Sequence, residues 1–359
     1  MKNKLFLDVH AIQILPPSNI NRDDTGSPKT ALYGGARRAR VSSQSWKRAM
    51  REYFRNNGES FHLGKRTLDV VRYVADKIKE LDPEWTDDKA MKKANEIINE
   101  AGITTKDNKS EALFFISDEQ AKNLARKVID DKDKDETPKD ILRNNPSVDI
   151  ALFGRMLAGK PYLNEDASAQ VAHSISTHAV QTEYDFYTAV DDLAPEDNVG
   201  AGMLGTIEFN SSTLYRYANV AIHELLSQLV DKEKTVDTVK LFVDAFANSL
   251  PTGKVNTFAN QTLPQVLIVT LRSDRPINLV TAFEKPVKSN EGYIEKSIEK
   301  LTEEFAKTEK FVEKPIKNIF VSFDENEKLE EIAEKQENLS QLLNNLGEDL
   351  EKYIDENLA

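Results

Sequence analysis

Three features of the 359-residue chain predict an α+β fold: strand-like alternation at its start, a charged helical block in its first half, and later strands flanking a long apolar helix. Leu5, Leu7, Val9 and Ala11 alternate with Phe6, Asp8, His10 and Ile12, the period of a strand, which Pro16-Pro17 should end. A loop leads to Gly34-Gly35, which can supply the positive φ of a tight turn, and then to a short extended run ending at Val41. A helix follows, with Ser42 or Ser43 as N-cap and Trp46, Ala49, Met50 and Tyr53 on one apolar face. Thr67 to Leu81 carries Leu68, Val71, Val74 and Ile78 at helical spacing, and Asp87 to Glu100 is rich in helix formers. Ser117 and Gln120 have the spacing of a capping box. The run Asp130 to Asp140 reads as a solvated loop or helix end, punctuated by Pro138.

Val148 to Met156 is apolar again, and Ser168 to Val180 is expected to be a helix or an irregular return to the first unit. Phe186 to Val190 and Thr206 to Asn210 are extended segments on either side of a passage containing Gly200, Gly202 and Gly205. This predicts a long hairpin with Met203 and Leu204 at its tip. Leu214 to Ile222 is a strand, Thr235 to Leu250 a helix with Val239, Phe242 and Phe246 on one face, and Gln265 to Leu271 a buried strand. The order β-α-β-β-α-β, with a helical insertion and a hairpin extension, is that of a ferredoxin-like, RNA-recognition-motif architecture. No internal repeat is evident.

The formal net charge of −12 opposes nucleic-acid binding unless basic residues are concentrated. They are concentrated between Asn21 and Arg55, where nine basic residues face three acidic ones. Arg37, Arg38 and Arg40 lie on the extended run, and Lys47, Arg51 and Arg55 recur at i, i+4 and i+8 beside the apolar helix face. Free N–H groups and seryl hydroxyls at the helix start add donors for a phosphate. Between Asp324 and Ala359 twelve acidic residues face three basic ones, which predicts an acidic tail helix.

The chain has no cysteine, so disulfides, thiolate metal sites and cysteine nucleophiles are excluded. That composition is compatible with a reducing cytoplasm. No segment approaches the length needed to span a bilayer, and a cytoplasmic protein without membrane partners is expected. His173 and His178 are five residues apart and share no helix face, so packing or hydrogen bonding is expected of them rather than metal ligation. No metal or other cofactor is expected, and no serine, histidine and acid arrangement is legible.

Asn21-Arg-Asp-Asp24, followed by Tyr33-Gly-Gly-x-Arg-Arg-x-Arg-Val-Ser-Ser-Gln-Ser-x-Lys-Arg-Ala-Met-Arg51, closely resembles the CasC family, the guide-RNA-binding backbone subunit of the type I-E CRISPR Cascade complex. Further resembling blocks are Val148 to Met156, His173 to His178, Phe186 to Leu193, Leu204-Gly205, Leu214 to Asn219 and Ala282 to Lys285. The resemblance is weak from about Ser60 to Asn145 and after Lys288.

The resemblance implies a hand: palm 1–58 and 214–288, helical fingers 59–179, hairpin thumb 180–213 and a C-terminal acidic helical extension 289–359. By motif, Arg22, Lys29, Ser42, Gln44, Lys47 and Arg51 would contact RNA backbone, with Arg37, Arg38 and Arg40 adding charge. Met156, Phe186, Tyr187, Thr188, Val190 and Leu204 would surround a displaced base, although alternation on a strand gives ordinary core packing equal standing for the two aromatics. The implied role is non-catalytic. Copies would polymerise along guide RNA, present its bases to target DNA and contact other Cascade subunits. The competing expectation is a divalent-metal nuclease using Asp23 or Asp24, against which adjacent carboxylates beside Arg22 more often fix a loop or form a salt bridge.

Overall fold

Strand β1, Phe6–Ser18, buries every residue from Leu7 to Gln13, so it is covered on both faces and flanked by strands on both sides. The computed structural model describes residues 4–58, 61, 63–130, 136–157, 159–190 and 201–358. Pro16-Pro17 does not end β1: the register to its neighbour shifts between Leu15 and Ser18, and this irregularity accommodates the two missing N–H donors. β2, Thr30–Tyr33, and β3, Ala36–Val41, form a hairpin. Its turn residues Gly34 and Gly35 have φ of +57° and +74°. A Cβ on Gly34 would sit 1.6 Å from the Glu284 carbonyl oxygen, so glycine is required there by close approach as well as by φ.

Helix α1, Ser43–Asn57, starts after Ser42 and buries Trp46, Ala49, Met50 and Phe54. Phe54 thus takes the innermost place expected for Tyr53, whose hydroxyl instead reaches Asp244 at 3.0 Å. Next come β4 (Lys65–Thr67), α2 (Val70–Leu81), α3 (Asp87–Glu100), β5 (Thr105–Lys106), β6 (Lys109–Ser110), β7 (Phe114–Ile116), α4 (Asp118–Asp130), α5 (Pro138–Arg143) and α6 (Val148–Phe153). The capping box is present: the Ser117 hydroxyl accepts from the Gln120 N–H, and the Gln120 carbonyl oxygen accepts from the Ser117 N–H. These elements bury an apolar cluster of their own, from Val70 to Leu163.

Residues 168–180 are neither helical nor irregular throughout, contrary to expectation. β8, Ala169–Val171, and β9, Ser174–Ser176, are three-residue strands that exist because a longer strand offers them backbone partners. That longer strand follows β10 (Glu183–Val190): β11, Ala201–Ala221, runs for 21 residues through both segments expected to be separate. Its outer part pairs with β10 and its inner part with β1. The chain continues with α7 (Ile222–Leu229), α8 (Lys232–Asn248), α9 (Val255–Phe258), β12 (Pro264–Arg272), α10 (Ile294–Thr308), β13 (Lys317–Ser322), α11 (Glu327–Glu330), β14 (Glu334–Lys335) and α12 (Leu339–Asn357).

The main sheet runs β14-β13-β12-β1-β11-β9-β3-β2, a mixed α+β architecture. Leu7, Val9 and Ala11 point to the face carrying α1, α8 and α12, while Ile12 with Tyr215 and Tyr217 faces α10. The acidic C-terminal segment is therefore not an exposed tail. β13 pairs with β12, and Leu342, Leu346, Leu350 and Ile354 seat one face of α12 in the sheet's core. Each such side chain contributes roughly 1.5–3 kcal/mol by burial, while the acidic residues occupy the helix's outer faces. Among the described residues no helix is long and apolar enough to cross a membrane.

Candidate nucleic-acid interface

The basic edge of α1 meets the helical unit at two aromatic rings. Lys47 places Nζ 5.6 Å from the centre of the Phe153 ring, and burial, with no acidic neighbour, pushes its pKa down. The Arg51 guanidinium lies 4.4 Å from the Phe115 ring centre, and its Nε pairs with Asp149 Oδ2 at 3.2 Å. Asp149 is itself fixed, since its Oδ1 accepts from the Gly64 N–H and the Ser147 hydroxyl. Arg51 is thus partly committed to structure, yet its buried Nη2 has no hydrogen-bond partner among the described residues. Arg66, on β4, stands 4.9 Å from the same Phe115 ring. A cavity of about 530 Å³ opens here, lined by Arg66, Phe115, Phe153, Met156, Asn164 and Asp166 among others, with Met156 87% exposed.

The arginine run divides. Arg38 is fully buried and donates to the carbonyls of Ser176, Phe283 and Glu284, so its assignment as an RNA contact is corrected: its donors close the sheet edge onto the 283–284 turn. Arg40 donates to the Thr30 carbonyl and to His173 Nδ1 at 3.0 Å. Arg37, Arg22 and Gln44 are exposed, and Lys29 is half-buried.

At the helix start, Ser42 is buried and its N–H donates to Asn21 Oδ1, so this donor is not open to a phosphate as its position suggested. Asp23 Oδ1 accepts from the Thr25 hydroxyl, the Thr25 N–H and the Ser27 N–H, and these bonds, the hydroxyl foremost, hold its pKa down. That carboxylate fixes the loop. His178 is buried and stacks on Tyr293, donating from Nδ1 to the Ala179 carbonyl and accepting at Nε2 from the Thr213 N–H. Among the described residues no group of three or more acidic or histidine side chains could hold a metal ion.

The β10–β11 hairpin carries a third part of the surface. Phe186 pairs with Thr206 and Thr188 with Leu204, so period-two alternation puts Tyr184, Phe186, Thr188, Leu204 and Thr206 on one face. Tyr184, Phe186 and Leu204 are each more than 60% exposed, so neither apolar ring of that face packs in this chain's core. Tyr187 projects from the opposite face and lays its ring against Gly205, where a Cβ would come 2.4 Å from the ring. Val190 pairs through its backbone with Ala201. Met203 and Leu204, expected at the tip, lie instead along β11, their backbones opposite Ala189 and Thr188; Gly200 lies outside the described residues, as do the side chains of Val190 and Met203.

The sequence profile of the CT1975-like protein family matches residues 7–345. The chain belongs to the CT1975-like family, the CasC-type group that its sequence blocks resemble. This CT1975-like chain is also similar to a solved structure described as a CRISPR RNA-guided surveillance complex, pre-nicking. The two are 31% identical over 96% of this chain and 100% of that one, with a TM-score of 0.83. A second structure, described as a CRISPR RNA-guided surveillance complex, is 28% identical over 96% of this chain and 99% of that one, with a TM-score of 0.65. Among curated proteins none matches.

Three residues of the CT1975-like surface were not legible beforehand. Arg66 and Phe115 lie in the stretch where the resemblance is weak and meet Arg51 only through tertiary packing. Tyr184 did carry a signal, since it stands two residues before Phe186 on the same strand face.

Proposed function

We propose that this chain is a non-catalytic backbone subunit of a type I-E Cascade complex in the cytoplasm. Copies of it line up along CRISPR guide RNA and present the bases to target DNA, in contact with other Cascade subunits. The observation that carries the reading is a pair of surfaces. On the α1 edge Lys47 rests on the Phe153 ring and, among the described residues, ends on no anion, while the β10–β11 hairpin, far away in sequence, holds aromatic and aliphatic side chains in solvent rather than in a core. Phosphate contacts that position a strand, with rings that stack on any base, suit a protein that must accept any guide sequence.

In this reading the strands β12-β1-β11-β9, with α1 and α8 on one face, are a ferredoxin-like palm. Residues 59–179 are the fingers, apart from β8 and β9, which return to the palm sheet, 180–213 are the thumb, and the segment after 288 widens the palm sheet. The engagement of Asp23 with Thr25 and Ser27 counts against the nuclease alternative.

Native mass spectrometry of the protein purified with its guide RNA tests the proposal. Several copies per RNA are expected, with the RNA and added complementary strands intact in Mg²⁺ or Mn²⁺. One copy per RNA would contradict the backbone role, and cleavage abolished by Asp24→Ala would establish the enzyme instead.

A further inference from the structure

Positive charge is dense around Phe115, where Asp149 pairs with only one of two guanidinium groups. Arg51 and Arg66 both lie on the Phe115 ring, 4.4 and 4.9 Å from the centre. Burial foremost depresses the Arg51 guanidinium, Arg66 and Arg55 act electrostatically in the same direction, and Asp149 alone raises it. Both Asp149 oxygens are already engaged, one by Arg51 and the other by Gly64 and Ser147. Arg66 is exposed, and among the described residues it has neither a hydrogen-bond nor an ion-pair partner. Of the cavity's carboxyl groups, Glu165 accepts from Gln228, and burial favours its neutral form.

We infer that Arg66 is a second phosphate-holding group, which grips the single-stranded RNA carried by α1 from the helical unit's side of the cleft. The inference rests on the RNA-binding reading above and adds a contact to it. A guanidinium laid on an aromatic ring keeps its edge N–H groups free, and those donors match the paired oxygens of a phosphodiester. Arg66 also lines the 530 Å³ cavity with Phe153 and Met156, so a strand following Lys47 and Arg55 along α1 passes within reach of it. The cleft is then gripped from both sides, and the fingers hold RNA as well as shape the groove.

Equilibrium binding of a short single-stranded RNA to the whole protein over a range of salt concentrations tests this. Arg66→Ala should flatten the slope of log affinity against log salt by about 0.7, the share of one phosphate on a single strand. Arg66→Lys should restore it. A slope unchanged in Arg66→Ala while the wild type binds would overturn the inference alone. A wild type that binds no RNA would overturn the RNA-binding reading with it. If Arg66→Lys binds as weakly as Arg66→Ala with the wild-type slope, the side chain only packs on Phe115, and the inference falls.

Discussion

The arginines inside the fold and the cations along α1 are chemically alike and differ in where their donors end. Arg155 is buried, and its guanidinium donates to the carbonyls of Leu163, Phe115 and Leu142. Arg216 is buried too, donating to Gln13 and the Phe246 carbonyl while stacked 3.8 Å from the Trp46 ring centre. Lys47 on α1, and Arg66 facing it from β4, rest on rings and among the described residues end on no anion. A cation whose donors are consumed by carbonyls is part of the scaffold. One supported by an aromatic ring, with its donors open, is available to a ligand. Arg38 and Arg37, adjacent in sequence, fall on opposite sides of that division.

The largest effect should come from breaking the interior set. Arg155→Ala removes the donor to the Leu163 and Phe115 carbonyls in a buried site, at about 1–3 kcal/mol each, and leaves that of Leu142 with the Gln120 amide alone. A loss of more than about 3 kcal/mol in urea unfolding is expected, and a loss under 1 kcal/mol would mean those bonds are not what orders the helical unit.

A smaller effect sharpens the contrast, because the interior also buries titrating groups. Burial raises Asp8 from its ordinary 3.8 to about 7, against the hydrogen bonds from Tyr217 and Ile277. Between about pH 4 and 7 the folded state therefore holds a proton that the unfolded chain releases, and this group favours folding more as pH falls. Burial lowers His10 from 6.5 to about 3, so its contribution runs the other way and is lost as pH falls from about 6.5 to 3. The two nearly cancel between pH 4 and 6.5. In His10→Gln the Asp8 contribution should stand alone, so that stability relative to wild type rises on acidification by up to about 1.4 kcal/mol per pH unit. Parallel stability profiles for the two proteins would refute the assignment.

What the sequence disclosed follows the same division between local and distant causes. The Gly34-Gly35 turn, the limits of α3 and the Ser117–Gln120 cap depend on neighbours a few residues away, and each was readable. β8 is a strand only because β11 pairs with it, β9 because β11 and β3 flank it, and Arg38 is buried only because residues 176 and 283–284 close over it. No window around those residues contains that information. The acidic count after Asp324 pointed to a tail helix but concealed the buried face of α12, because its four inward side chains are outnumbered by charges on the outer faces. Of the interface, the basic edge and Phe186 were legible by period, whereas Arg66 needed the fold to bring β4 beside α1.

In the proposed role the open cations of α1, and not the net charge or the buried arginines, hold RNA. Arg51 is a poor probe, because its loss would leave the buried Asp149 unpaired. Lys47→Ala/Arg55→Ala avoids that, and the salt dependence of short-RNA binding by this double variant is the direct measurement. A log–log slope flatter by about 1.4, two phosphates' worth on a single strand, is expected, with urea stability held to within about 0.5 kcal/mol. A slope equal to the wild type's, in a protein equally stable, would contradict that role.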